Sequence, residues 1–184
     1  MSKYKQYGAY HYDAFKGEDP AYRAHVLDVI DKVKEFARPQ GRILDVGAGE
    51  GLIGSVIRNR LGMEVHGCDP DEYAFKLSQE KGNSVVLGTI DHFAGEKFDA
   101  TICLDVLEHV EEVLFEATMN SLKASADLLF IAVPSTHDKH GFRDFGSLRA
   151  IVELFAPDSE LDDEWEVLHS DDRQARYFVV LRKA

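Results

Sequence analysis

The side chains best placed to do chemistry lie in one stretch, Ile43-Leu44-Asp45-Val46-Gly47-Ala48-Gly49-Glu50-Gly51-Leu52-Ile53-Gly54. An apolar run ends near a carboxylate and enters a turn with glycine at every second position, followed by a helical pattern. Glycine permits positive φ and lets a ligand approach the backbone closely, and a helix start offers unpaired amides. The stretch therefore reads as a ligand cradle, or else as a tight strand-to-helix turn with nothing bound. Gly49-Glu50-Gly51-Leu52-Ile53-Gly54 also satisfies the G-x-G-x-x-G pattern of dinucleotide sites, which leaves the ligand open.

Asp45 separates the alternatives. A carboxylate at the strand end, with Glu50 inside the turn, is repelled by a pyrophosphate but attracted to a ligand carrying an ammonium and a sulfonium, as S-adenosylmethionine does. A second acid, Asp69, ends the apolar run Glu64 to Cys68, 18 residues after Gly51. Its two oxygens match the two vicinal hydroxyls of a ribose, although Pro70-Asp71-Glu72 also reads as a helix start that an acid would cap.

These residues resemble a known family. Ile43 to Gly51 is similar to motif I of the class I S-adenosylmethionine-dependent methyltransferases, and Val65-His66-Gly67-Cys68-Asp69 is similar to their second motif. Phe98 to Val110, with Leu104-Asp105-Val106-Leu107-Glu108-His109-Val110, resembles the fourth-strand region of the branch that includes ubiquinone-biosynthesis-type small-molecule methyltransferases. Leu128 to Pro134 resembles the fifth strand. The resemblance implies S-adenosylmethionine as cofactor, bound by Tyr12, Asp45, Gly47, Ala48, Gly49, Gly51, Asp69, Pro70, Thr89, Ile90 and Leu104. One position departs from it: the family commonly has Gly-Asp after the third strand, whereas Gly88 is followed here by Thr89. A hydroxyl and the Ile90 amide can still serve an adenine.

Methyl transfer of this kind is an in-line displacement at an activated methyl group, so positioning and desolvation carry much of the catalysis. An oxygen or nitrogen acceptor can still need a base, and His109, His137 and His140 are the candidates because imidazole titrates near neutrality. Asp105, Glu108 and His109 also have a spacing that would share one face at a helix start, where they could join His140 in holding a divalent metal. That set resembles the Glu-x-x-Glu-His and His-x-Phe pattern of small-RNA terminal 2′-O-methyltransferases. The metal-free reading is preferred, since Leu-Glu-His-Val is widespread in metal-independent relatives. The aromatic N-terminus, Tyr4 to Tyr12, reads as a lid over the cofactor or as a segment docked for packing or an oligomer contact.

The elements that must position these groups alternate. Asp19 to Ala37 is an amphipathic helix with Val26, Val29, Ile30, Val33 and Phe36 on one face. Strands are predicted at Arg42 to Val46, Glu64 to Cys68, Ser84 to Leu87, Phe98 to Cys103 and Leu128 to Val133. Helices are predicted near Gly51 to Leu61, Asp71 to Lys81, His109 to Lys123 and Ser147 to Phe155. Trp165 to His169 and Arg176 to Leu181 pair as a hairpin through Ser170 to Gln174. The predicted class is α/β, a doubly wound, mostly parallel seven-stranded sheet with an antiparallel C-terminal edge hairpin. An N-terminal lid and helix, 1–40, would precede the methyltransferase domain, 41–184.

Composition agrees with a globular protein. A net charge of −12 disfavours nucleic acid, and no apolar run is long enough to cross a membrane. The start of the chain lacks a secretory pattern, so a cytoplasmic location is expected. Cys68 and Cys103 end apolar runs and read as buried thiols rather than a disulfide. The expected partner is a small-molecule or sugar acceptor, with the chain as monomer or homodimer. A cofactor-binding protein without catalysis and an NAD-binding oxidoreductase are the competing readings.

Overall fold

A computed structural model describes residues 10–136, 141–155, 165–173 and 176–184. They fall into two compact units that divide after Phe93.

In the first unit a short helix α1 (Tyr10–Asp13) and a π-helical turn (Ala14–Glu18) lead into α2 (Pro20–Phe36). Asp19 starts α2 by accepting the Tyr22 amide at 3.0 Å, with Pro20 in the first turn where a missing N–H costs nothing. The apolar stripe is buried as the spacing predicts, with His25, Val26, Val29, Ile30 and Val33 inside, while Phe36 is only half-buried. Next come β1 (Arg42–Val46), α3 (Leu52–Leu61), β2 (Glu64–Asp69), α4 (Glu72–Glu80) and β3 (Val85–Leu87). The strands lie in the order β3-β2-β1 and are parallel, with Arg42 opposite Glu64 and Gly67 opposite Val85. A 3₁₀ turn (Ile90–Phe93) ends the unit.

The second unit contains β4 (Ala100–Leu104), a 3₁₀ turn (Leu107–His109), α5 (Glu112–Ser125), β5 (Leu128–Pro134), α6 (Leu148–Phe155), β6 (Trp165–Arg173) and β7 (Arg176–Lys183). Its order is β4-β5-β7-β6, parallel for β4 and β5 and antiparallel from β5 onward. Every residue from Leu128 to Val133 is buried, as expected of an apolar run covered on both faces. The seven strands and the closing antiparallel hairpin agree with the α/β class read from the sequence.

Two local expectations are corrected. The segment from Ser170 is strand rather than link, because β6 continues to Arg173 and pairs with β7 as far as Arg176. The helix expected from His109 begins at Glu112: Val110 is extended, at φ −79° and ψ 125°, so the 3₁₀ turn and α5 are separate elements. Cys68 and Cys103 are buried free thiols, and burial pushes the Cys68 thiol up to about 12. Among the described residues no helix is long and apolar enough to cross a membrane.

Candidate functional site

Where β1 ends, Gly47, Gly49 and Gly51 all have positive φ, at 70°, 57° and 81°. A side chain would cost about 1–2 kcal/mol at each such position. The amides of Gly47 and Ala48 both donate to the Cys68 carbonyl, at 2.9 and 3.0 Å, and the Gly51 amide donates to Ala48 O at 2.8 Å. Asp69 completes the loop: its Oδ2 accepts the Gly49 amide at 2.8 Å and its Oδ1 accepts the Asp71 amide at 2.9 Å. The acid at the end of β2 thus ties the glycine loop to the start of α4. Burial raises the Asp69 pKa, opposed by the Asp71 and Gly49 amides. The cap of α4 belongs to its neighbour, since Asp71 Oδ1 accepts the amides of Tyr73 and Ala74.

Asp45 is buried in β1, with its carboxyl at the Gly54 amide in the first turn of α3. It lines a narrow crevice with Gly51, Gly54, Arg58, Gly67 and Asn83, and its Oδ2 has no hydrogen-bond partner among the described residues. Burial pushes its pKa up to about 7, with the Gly54 amide opposing and the Asp69 charge adding to the rise. Its charge is therefore sensitive to pH near neutrality.

Glu50, inside the turn, is also buried, at 1% exposure. Its Oε1 accepts the Tyr12 amide at 3.1 Å, and its Oε2 lies 3.7 Å from Lys81 Nζ. The Asn83 amide nitrogen donates to Tyr12 Oη at 2.9 Å and to the Glu50 carbonyl at 2.7 Å, while Arg58 donates to Asn83 Oδ1 at 3.0 Å. Lys81 Nζ lies 4.6 Å from the centroid of the Tyr12 ring. The sequence reading placed Tyr12 near this loop but missed Asn83, Lys81 and Arg58, which no local pattern marks.

Around this loop Gly47 and Ala48 are half-buried, Pro70 and Thr89 are exposed, and Ile90 is buried at the head of its 3₁₀ turn. The Gly88 amide donates to Asp69 O at 3.0 Å, which places Thr89 just beyond the end of β3.

In the second unit Leu104 ends β4 half-buried and Asp105 follows at φ 54°. The Asp105 amide donates to Ala132 O at 2.9 Å, and Arg176 Nε donates to both its carboxylate oxygens, at 3.0 and 2.7 Å. Glu108 is buried and its carbonyl accepts the Phe142 amide. His109 is about one-third exposed, with Nε2 3.7 Å from Glu108 Oε1. His137 and His140 lie outside the described residues. Among those described, Asp105, Glu108 and His109 form no metal-binding group; they do not share a helix start, and Asp105 is turned to Arg176. Val113, Leu114 and Phe142 are large apolar side chains left exposed, at 85%, 53% and 68%.

Residues 44–129 match the family described as a methyltransferase domain, so the resemblance carried by the motifs holds over that stretch. A ubiquinone biosynthesis O-methyltransferase of Mesorhizobium japonicum is 36% identical over 100 residues, covering 50% of this chain and 40% of the relative. The chain spans less than half the length of the curated relatives it matches. Magnesium protoporphyrin IX methyltransferase of Synechocystis PCC 6803, solved with bound S-adenosylmethionine, superposes with a TM-score of 0.70 at 17% identity, over 95% of this chain and 90% of that one. The 1,6-didemethyltoxoflavin-N1-methyltransferase of Burkholderia thailandensis superposes at 0.67 and 18% identity, over 91% and 80%. The doubly wound α/β fold of the class I methyltransferases is thus the fold of this chain.

Proposed function

We propose that this protein transfers a methyl group from S-adenosylmethionine to a small-molecule or sugar acceptor. The observation that carries this reading is the glycine loop at the end of β1, held by the Asp69 carboxylate through the Gly49 amide. Each Asp69 oxygen accepts one amide and keeps capacity for another bond, which fits two vicinal ribose hydroxyls. Gly47, Ala48, Gly49 and Gly51 allow close approach of the cofactor to the backbone, and Asp45 adds a negative charge when it is ionised. Pro70, Thr89 and Ile90 would hold the adenosine end, with Tyr12 and Leu104 completing the contacts. Similarity to a ubiquinone biosynthesis O-methyltransferase, a magnesium protoporphyrin IX methyltransferase and a 1,6-didemethyltoxoflavin-N1-methyltransferase supports a small-molecule acceptor.

S-adenosylmethionine supplies a methyl group already activated on a sulfonium. Held at this loop, it would give that methyl to an acceptor oxygen or nitrogen and leave as the uncharged thioether. His109 would take the proton released by the acceptor, directly or through water, with Glu108 Oε1 3.7 Å from its Nε2. His137 and His140 are the other candidates for that task. Residues 1–40 are proposed as the N-terminal lid and helix, 41–184 as the domain that holds the cofactor. On the same reading the protein acts in the cytoplasm as a monomer or homodimer, without nucleic acid or membrane as partner.

Calorimetric titration tests the cofactor: S-adenosylhomocysteine should bind and NADH should not, and the reverse result would replace this reading with an oxidoreductase. A screen of phenolic, heterocyclic and sugar acceptors with methyl-labelled cofactor then tests catalysis. Binding without any label transfer would favour the non-catalytic alternative.

A further inference from the structure

The N-terminal helix and the glycine loop are joined by a set of contacts that the cofactor reading leaves unused. Glu50 stands between Gly49 and Gly51, next in the chain to the residue whose amide Asp69 holds. A carboxylate is costly to bury, and this one is retained at 1% exposure. Its Oε1 accepts an amide from the short helix α1, an orphan donor with no partner inside the helix. Asn83 uses both amide hydrogens here, one on Tyr12 Oη and one on the Glu50 carbonyl. Arg58 orients Asn83 from α3. A Cβ on Gly51 would lie 2.7 Å from Asn83 Cβ, so the absence of a side chain there is what lets the Asn83 side chain reach the loop.

We propose that Glu50 and Asn83 are positioning residues: they clasp the Tyr12 segment onto the glycine loop, so that docking of that segment and binding of the cofactor promote each other. This inference rests on the cofactor reading above. Beyond any contact that Tyr12 makes with the ligand, the segment acts through the loop to which Glu50 and Asn83 bind it. Coupling between two binding events is reciprocal, so cofactor must tighten the clasp by the factor with which the clasp tightens cofactor.

The test measures S-adenosylhomocysteine affinity and amide exchange of residues 10–18 in the full chain. Glu50→Ala is expected to weaken the affinity about tenfold, within the usual range for coupled sites. Tyr12→Phe, which removes a single hydroxyl, should weaken it about threefold. Glu50→Gln should recover most of the loss, because its amide oxygen can still accept the Tyr12 amide. In the wild type S-adenosylhomocysteine should slow exchange at Tyr12, and in Glu50→Ala that protection should shrink. A merely structural clasp would lower the melting temperature while leaving affinity and ligand-dependent protection unchanged, and that result overturns the proposal. Should Glu50→Ala fail to fold, Tyr12→Phe decides by the same two readouts. Failure of the wild type to bind S-adenosylhomocysteine at all would overturn the cofactor reading itself, and the clasp with it.

Discussion

Between Val46 and Leu52 the chain is shaped by its own backbone. Positive-φ glycines aim the amides of Gly47, Ala48 and Gly51 at nearby carbonyls, the Asp69 carboxylate grips the Gly49 amide, and the Asn83 side chain donates to the Glu50 carbonyl. After β4 the corresponding turn is shaped by side chains. Asp105 takes a left-handed conformation without being glycine, and its carboxylate is held by Arg176 from the far end of the sequence. The first construction suits a ligand that hardly varies, because backbone groups cannot be exchanged by mutation. The second suits a ligand that differs between relatives, because Asp105, His109, Phe142 and Arg176 can each be replaced without rebuilding a strand. If the proposed function holds, the loop would serve the cofactor and the Asp105 turn the acceptor.

Gly51→Ala should break the contrast most severely. The new methyl must overcome both the left-handed backbone and the 2.7 Å approach to Asn83, a loss of about 4 kcal/mol in unfolding free energy by urea titration. A loss under about 1 kcal/mol would mean that the loop is soft rather than backbone-determined.

Asp45 gives a pH-dependent test of the same loop. The folded state raises its pKa from 3.8 to about 7, so between those values the folded protein binds a proton that the unfolded chain has lost. Stability must therefore fall as pH rises through this window. Asp45→Asn removes that penalty, so the variant should gain on wild type by about 2–3 kcal/mol between pH 5 and pH 8. The raised pKa of Glu50 is common to both proteins, whereas the Asp69 charge acts on Asp45 itself and belongs to the measured difference. A stability difference that does not change with pH would remove Asp45 as the titrating group.

Asp69→Asn turns one acceptor oxygen into a donor, which leaves the Gly49 or Asp71 amide unanswered. The expected cost is about 2 kcal/mol, together with at least a tenfold weaker S-adenosylhomocysteine affinity, about what one charged hydrogen bond is worth. If affinity survives while stability falls, Asp69 only closes the loop.

Asp105→Asn should have the smallest effect, about 1 kcal/mol, because the pair with Arg176 is partly exposed and asparagine tolerates the left-handed backbone. Its sharper readout is the acceptor screen. Altered acceptor preference with unchanged S-adenosylhomocysteine affinity would confirm the division of labour between the two turns, and a parallel loss of cofactor binding would end it.

Much of this was legible in advance. β1 has the predicted limits, Arg42 to Val46, because an apolar run bounded by Gly41 and Gly47 leaves little room for another register. The buried stripe of α2 follows from helical spacing alone. The end of that stripe did not: Phe36 is half-buried, with Lys32 over its ring. The start of α5 was missed because Leu107 to His109 has helical composition while Val110 is held extended between two elements. The longer hairpin was missed because polar residues from Ser170 read as a link, whereas pairing with Arg176 to Val179 keeps them in the strand.

What the sequence determined by itself is the glycine loop, its acids and the family they resemble, because those depend on residue type and short spacing. What only the tertiary structure decided is how the acids are used. Asp69 closes the loop, Asp45 lies buried with a raised pKa, and Glu50 meets Tyr12, 38 residues away, while Asn83 meets the same tyrosine across 71 residues. Contacts over such separations leave no local pattern, because they form only when helices and strands have packed and water has been removed from the carboxylates between them.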